Sequence, residues 1–148
     1  MGKFTFTKQK KKNKYETILN TVRLNGVEDR CSIYHALVGE DIHVHGPMKG
    51  ASKIPPSNIP NCDVLELDCE GAEYSILQNL KIEPRVIVVE VHTPTIPRDS
   101  VTEELKNKNY EIIERTDHAG EKVDQDHVDE VWATEDGPNT FIITAIKN

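Results

Sequence analysis

No apolar run in this sequence approaches the roughly 20 residues that a bilayer-spanning helix requires, so no membrane span is expected. Behind the N-terminal lysines there is no apolar stretch and no small-residue cleavage site, and they are not read as a secretory signal. Cysteine is scarce. Cys31, Cys62 and Cys69 form no CxxC pair and leave one odd, which points to a reducing, cytoplasmic setting. Acid is missing from residues 1–14, which carry Lys3, Lys8, Lys10, Lys11, Lys12 and Lys14. Without those six lysines, 12 of the 18 basic residues face all 25 acidic ones, a net charge of −13. So acidic a body opposes a broad nucleic-acid surface, because phosphate contacts need Lys and Arg. The lysine arm can touch a phosphate backbone or an acidic membrane face, or be an ordinary solvated, disordered terminus.

What is present fits one domain. At 148 residues, with 36% hydrophobic and 29% charged residues, the chain suits a single core. Residues 1–14 read as the arm and 15–148 as the folded unit. Tyr15, Ile18, Leu19 and Val22 fall at helical spacing, and Asn25-Gly26 ends that helix. A strand is expected over residues 31–38. Residues 39–62, with four prolines, read as loop with a short strand at 42–45. The apolar run Val64 to Asp68 is a second strand, followed by a helix at about 71–80. The β-branched run Val86 to Val91 predicts a strand buried on both faces of a parallel sheet. Ser100 and Glu103 form a capping box for a helix at about 100–108. Strands at 110–115 and 140–146, with no helical pattern between them, are expected to pair antiparallel. Alternating units of this kind give an α/β fold built on a mainly parallel sheet.

The most informative stretch is the handover from strand to helix at 64–73, where Asp68, Glu70 and Glu73 surround a glycine-containing turn. Ligands of open α/β sheets bind outside the carboxyl ends of the strands. Asp68 stands at such an end, where it can orient an acceptor group or act as a general base. Glu70 is a second candidate for a direct role, and the alternative, which is the main reading of Glu73, is that both simply complement the positive end of the following helix. Glu90 and His92 end the neighbouring strand, and paired strands lie only ~4.8 Å apart. An Asp, Glu and His set can relay a proton or hold a divalent cation, and a plain loop histidine is the alternative for His92. His43 and His45 lie at i, i+2 with no third ligand identifiable, so no metal site is assigned. His118, Asp124, Asp126 and His127 read as a solvated acidic loop. Cys69 reads as a small packing residue, and Trp132 as packing under the 116–139 loop.

Four segments resemble the FkbM-type family of class I S-adenosylmethionine-dependent methyltransferases. They are Asn20-Thr-Val-Arg-Leu-Asn-Gly-Val-Glu-Asp-Arg30, Tyr34-His-Ala-Leu-Val-Gly39, Leu67-Asp-Cys-Glu-Gly-Ala-Glu-Tyr74 and Val86-Ile-Val-Val-Glu-Val-His92. The Asp-x-Glu-Gly-Ala-Glu run carries most of the specificity, and Glu66 stands where the family more often has a basic residue. The resemblance implies a partial Rossmann-like methyltransferase fold, with a mainly parallel sheet and a C-terminal antiparallel strand pair. It implies methyl transfer from S-adenosylmethionine to an oxygen, with nitrogen second, of a small molecule or glycan. It places Asp68, Glu90 and His92 on the catalytic, acceptor side, and His35, Ala36, Leu37, Asp68 and Glu70 on the cofactor side.

The family's first strand, Gly-rich loop and ribose-holding acid should precede the first helix. Residues 1–13 offer one glycine, Gly2, and no acid. The expectation is therefore an N-terminally incomplete domain that binds cofactor weakly unless another chain supplies those strands. Its exposed sheet edge would then invite a homo-oligomer or a partner chain. The alternatives are a non-catalytic remnant or split-protein half acting through such a partner, and, further off, a nucleic-acid methyltransferase suggested by the lysine arm.

Overall fold

A computed structural model describes residues 4–6, 14–39, 52–93, 96–97, 99–124, 126, 128–130 and 139–148. The elements are β1 (Phe4–Phe6), α1 (Lys14–Leu24), β2 (Ala36–Val38), β3 (Ser52–Ile54), β4 (Val64–Leu67), α2 (Glu73–Asn79), β5 (Val86–Thr93), α3 (Ser100–Asn107), β6 (Tyr110–Thr116) and β7 (Asn139–Lys147). Short 3-10 turns lie at Glu28–Arg30 and Pro56–Asn58. The expected segments at 42–45 and around Trp132, with His43, His45 and His127, fall outside the described residues.

The chain is α/β with two sheets. The larger has the order β1-β4-β5-β7-β6 and the smaller pairs β2 with β3. Mainly parallel pairing was the expectation, and the five-stranded sheet is instead evenly mixed. β1–β4 and β4–β5 are parallel, whereas β5–β7 and β7–β6 are antiparallel. The cause is the position of β7. It inserts between β5 and β6, running against both, so one antiparallel strand creates two antiparallel ladders. The expected antiparallel pairing of the last two strands is present, with a register shift between Ile112 and Glu114.

Two further expectations change at the N-terminal side. Phe4–Phe6, inside the arm expected to lack order, pair in parallel with Leu65–Leu67. That ladder covers the edge of β4 that was expected to be exposed, and β1 is now the end of the sheet. The strand expected over 31–38 shortens to Ala36–Val38, because its partner β3 offers only Ser52–Ile54. α1 forms and stops as expected. Gly26 takes φ +60°, and the Val27 N–H reaches back to the Val22 carbonyl at 3.2 Å, closing the helix end with a left-handed glycine.

The core sits on one face of the larger sheet. Leu65, Leu67, Ile87, Val89, Val91, Ile143 and Ala145 alternate inward along β4, β5 and β7. Ile76 and Leu77 of α2 and Val101 and Leu105 of α3 close over them, and Val38 and Ile59 join the same cluster. The β-branched run of β5 is therefore not buried on both faces. Ile87, Val89, Val91 and Thr93 are buried, while Val86, Val88, Glu90 and His92 are only partly covered. This period-2 alternation sets Glu90 and His92 on one face of β5.

Candidate functional site

β4 ends at Leu67, so Asp68 is the first residue beyond the sheet at its carboxyl end. The chain then reverses. Glu70 and Gly71 both take positive φ, 54° and 103°, and the Ala72 N–H donates to the Cys69 carbonyl at 3.4 Å. Consecutive positive φ values define a primed turn, in which a glycine relieves the steric cost. The turn aims the N–H groups of Cys69 and Gly71 at one point. The Glu73 carboxylate occupies it. Oε1 accepts from Cys69 at 2.8 Å and Oε2 accepts from Gly71 at 2.9 Å.

Glu73 is fully buried at 0% exposure, yet it opens α2. The sequence suggested a residue that only favours the helix dipole from the surface. Instead its carboxylate folds back under the turn and meets His92, whose Nδ1 lies 2.9 Å from Oε1. β5 makes this possible by running two residues beyond Val91, so His92 is a strand residue and not a loop histidine. A buried carboxylate needs hydrogen-bond donors; Glu73 has two backbone N–H groups and an imidazole.

The other nitrogen of His92 faces the acids named from sequence. Nε2 is 3.7 Å from Asp68 Oδ1 and 3.7 Å from Glu90 Oε1. Burial deepens from Asp68, whose side chain is 42% exposed, through His92 at 16%, to Glu73. The cluster therefore opens to solvent on its Asp68 side. His118 adds to it, with Nε2 3.5 Å from Glu90 Oε1 and hydrogen-bonded to Thr140 Oγ1. Sequence reasoning left His118 in a solvated loop. Its partner Thr140 is 22 residues away across the β6–β7 connection, and no local spacing signals that pairing.

The electrostatics follow from three acids around one imidazole. Burial raises the Asp68 carboxyl above its usual range, and the Glu90, Glu70 and Glu73 charges raise it further, against the opposing pull of His92. Burial alone would lower His92. The hydrogen bond to Glu73 and the charges of Glu73, Glu90 and Asp68 outweigh it, and His92 is raised above its ordinary value. Burial, with Glu73 and Asp68 beside it, pushes the Cys69 thiol up to about 12. Such a thiol is not a nucleophile at neutral pH, which fits a packing role. Asp68, Glu90 and His92 each offer a ligand atom within 4.8 Å of the others, a spacing that a divalent cation can also use.

The residues expected on the cofactor side divide. Glu70 lies in the turn itself. His35, Ala36 and Leu37 lie along the small sheet, where the His35 carbonyl accepts from Ser52 N–H at 3.0 Å. The His35 ring stacks on Tyr15, with centroids 5.2 Å apart, so it has a partner. Among the described hydrogen bonds and ion pairs, none joins residues 35–37 to Asp68.

Comparison with known families finds one likeness, and it covers this corner. Residues 51–120 match the methyltransferase FkbM domain. It is the same family that the four segments resemble. The matched stretch is just under half of the chain. It runs from β3 to the turn beyond β6, and so contains Asp68, Glu70, Glu73, Glu90, His92 and His118. His35, Ala36 and Leu37 lie outside it. No curated protein and no solved structure matches the chain. The FkbM match points to methyltransferase activity. Among the described residues, no helix is long and apolar enough to cross a membrane.

Proposed function

We propose that this chain carries the acceptor side of an S-adenosylmethionine-dependent methyltransferase of FkbM type, acting on an oxygen of a small molecule or glycan. One observation carries the reading. Within the FkbM-matched segment, Asp68, Glu90 and His92 converge at the carboxyl ends of two adjacent parallel strands. That is where open α/β sheets bind their ligands, and the strand order β1-β4-β5-β7-β6 is compatible with a partial Rossmann-like sheet.

The donor set suits the cofactor's reacting end. Beyond the burial that first raises Asp68, the charges of Glu90, Glu70 and Glu73 raise it further, and those of Glu73, Glu90 and Asp68 help raise His92; the sulfonium of S-adenosylmethionine is a cation. When bound, that group supplies an electrophilic methyl. Asp68, on the open side of the cluster, and Glu70 would lie toward it, with residues 35–37 toward the adenine. On the acceptor side, His92 takes the proton of a hydroxyl, while Asp68 and Glu90 stabilise the imidazolium that forms. Methyl transfer is an in-line displacement, so holding the acceptor in line does much of the work. Three free cysteines, Cys31 among them exposed, suit a reducing compartment such as the cytosol.

Titrating S-adenosylmethionine calorimetrically into the 148-residue chain tests this reading. Saturable binding in the micromolar range supports autonomous cofactor binding, and no heat at millimolar ligand contradicts it. With an acceptor in hand, Asp68→Ala should abolish turnover; unchanged turnover removes Asp68 from the acceptor side.

A second reading, a non-catalytic chain acting as an oligomer, is favoured by the sheet's one-sided burial. Val64, Val86 and Val88 on its other face are only partly covered. Its occupant would be a second copy of the chain. Sedimentation equilibrium distinguishes the two, since a monomer throughout the micromolar range removes the oligomer.

A further inference from the structure

We infer that Glu73 is a positioning residue that fixes His92 as the general base, with the Nε2 face of the imidazole turned to the methyl acceptor. The inference deepens the methyltransferase reading above and rests on it for the identity of the acceptor. Its structural half stands independently.

The tautomer follows from counting donors. Backbone N–H groups can only donate, and both oxygens of Glu73 already accept one, from Cys69 and from Gly71. With Glu73 as a carboxylate, which can only accept, the contact of 2.9 Å between Oε1 and His92 Nδ1 is a bond in which Nδ1–H donates. A neutral imidazole with its proton on Nδ1 carries its lone pair on Nε2. Nε2 is the atom that faces Asp68 and Glu90, and it lies toward the solvent side of the cluster. A hydroxyl that donates to Nε2 meets the one ring nitrogen able to take its proton, and the two carboxylates stand ready for the positive charge that follows. The balance is simple. The acceptor O–H bond breaks and its proton goes to Nε2. The oxygen's electron pair forms the new O–CH3 bond, and the pair of the broken S–CH3 bond stays on sulfur.

Glu73 suits this role because it cannot move. It is fully buried, and the turn that holds it rests on two residues of positive φ. The chain therefore invests a strained turn in orienting one carboxylate. The imidazolium formed on proton transfer faces Glu73 from α2, Asp68 from the end of β4 and Glu90 from β5, and Glu70 acts on Asp68. His118, beyond β6, faces Glu90. All but His118 are acids, so the environment stabilises the charged ring.

The test reads the ring directly and needs no acceptor. Nitrogen-15 NMR of the imidazoles, titrated with pH, gives the tautomer and midpoint of His92 in the wild-type chain and in Glu73→Gln. The wild type should show the neutral ring protonated at Nδ1, with a midpoint above the ordinary value of 6.5. In Glu73→Gln the midpoint should fall and the Nδ1 preference should disappear. A wild-type ring protonated at Nε2 overturns the inference without any variant, so a Glu73→Gln that fails to fold does not rescue it. A midpoint unmoved in a folded Glu73→Gln overturns it as well. If the ring behaves as expected but the chain binds no S-adenosylmethionine, the positioning stands and the methyltransferase reading falls.

Discussion

Gly71 presents its N–H to Glu73 only because its φ is 103°, a value that L side chains rarely adopt. Gly71→Ala should cost roughly 1–2 kcal/mol of stability from the strained backbone alone, read as a lower urea midpoint. An unchanged midpoint means that the turn does not constrain the carboxylate. The titrating residues give a second expectation, with its sign fixed by linkage. His92 is raised in the fold above 6.5, so its stabilising contribution is fully present below 6.5 and lost as pH rises through the folded value. Asp68 is also raised, from 3.8, which is unusual for a carboxylate in an intact ion pair. Its ionised form is disfavoured by the fold, so at neutral pH it subtracts stability. Asp68→Asn should therefore raise the melting temperature at pH 7 and leave it unchanged near pH 3, as measured by scanning calorimetry. Equal melting temperatures at pH 7 would show that solvent on the open side screens the repulsion fully. That Asp68, Glu90 and His92 lie close together was legible because strand ends are legible. The depth of Glu73 was not. A glutamate opening a helix reads as solvent-facing until the next strand is known to end in a histidine.

At the scale of elements, α3 shows how local chemistry departs from its sequence signal. Ser100 and Glu103 spell a capping box, yet Asp99 is the N-cap, at φ 59° and with no side-chain cap bond. Ser100 is the first helical residue, and its hydroxyl instead donates to the Pro97 carbonyl at 2.6 Å. Ser100→Ala should cost about 0.5–1.5 kcal/mol, the worth of one hydrogen bond, whereas Glu103→Ala, on the exposed face, should stay within about 0.5 kcal/mol. Equal costs would restore the capping box. At the opposite end of the sheet, the Tyr110 hydroxyl donates to the Pro84 carbonyl at 2.7 Å, and Lys147 Nζ stands 5.0 Å from the ring centroid. Burial, with Glu83 and Cys62 nearby, holds that hydroxyl up to about 12, so the bond persists through any working pH. Element types were legible wherever the period was strong, as in α1, β4, β5 and β7. The span of β2 was not, because a strand extends only as far as its partner, and β3 lies inside a proline-rich stretch with no strand signal.

For the whole molecule, the order of strands decides where chemistry can occur. β4 and β5 run parallel, β5 continues to Thr93 beyond the end of β4 at Leu67, and β7 locks β5 from its other side. Ile87 is wholly buried in the middle strand of that arrangement. Ile87→Ala should cost about 2–5 kcal/mol, most of the margin of a small domain. The alternation of helix and strand made the α/β class legible. The mixed character of the sheet was hidden because nothing in β7 itself says that it inserts beside β5. The sequence also concealed β1, since lysines flank its three residues and only the ladder to β4 reveals it.

The central claim is that the Asp68, Glu90 and His92 corner receives the methyl donor and its acceptor. The most direct measurement is a chemical-shift titration of the labelled chain with S-adenosylhomocysteine, the product form of the donor. Saturable shifts at the amides of residues 68–71 and at the His92 imidazole are predicted. Shifts confined to other parts of the chain, or none at millimolar ligand, contradict it.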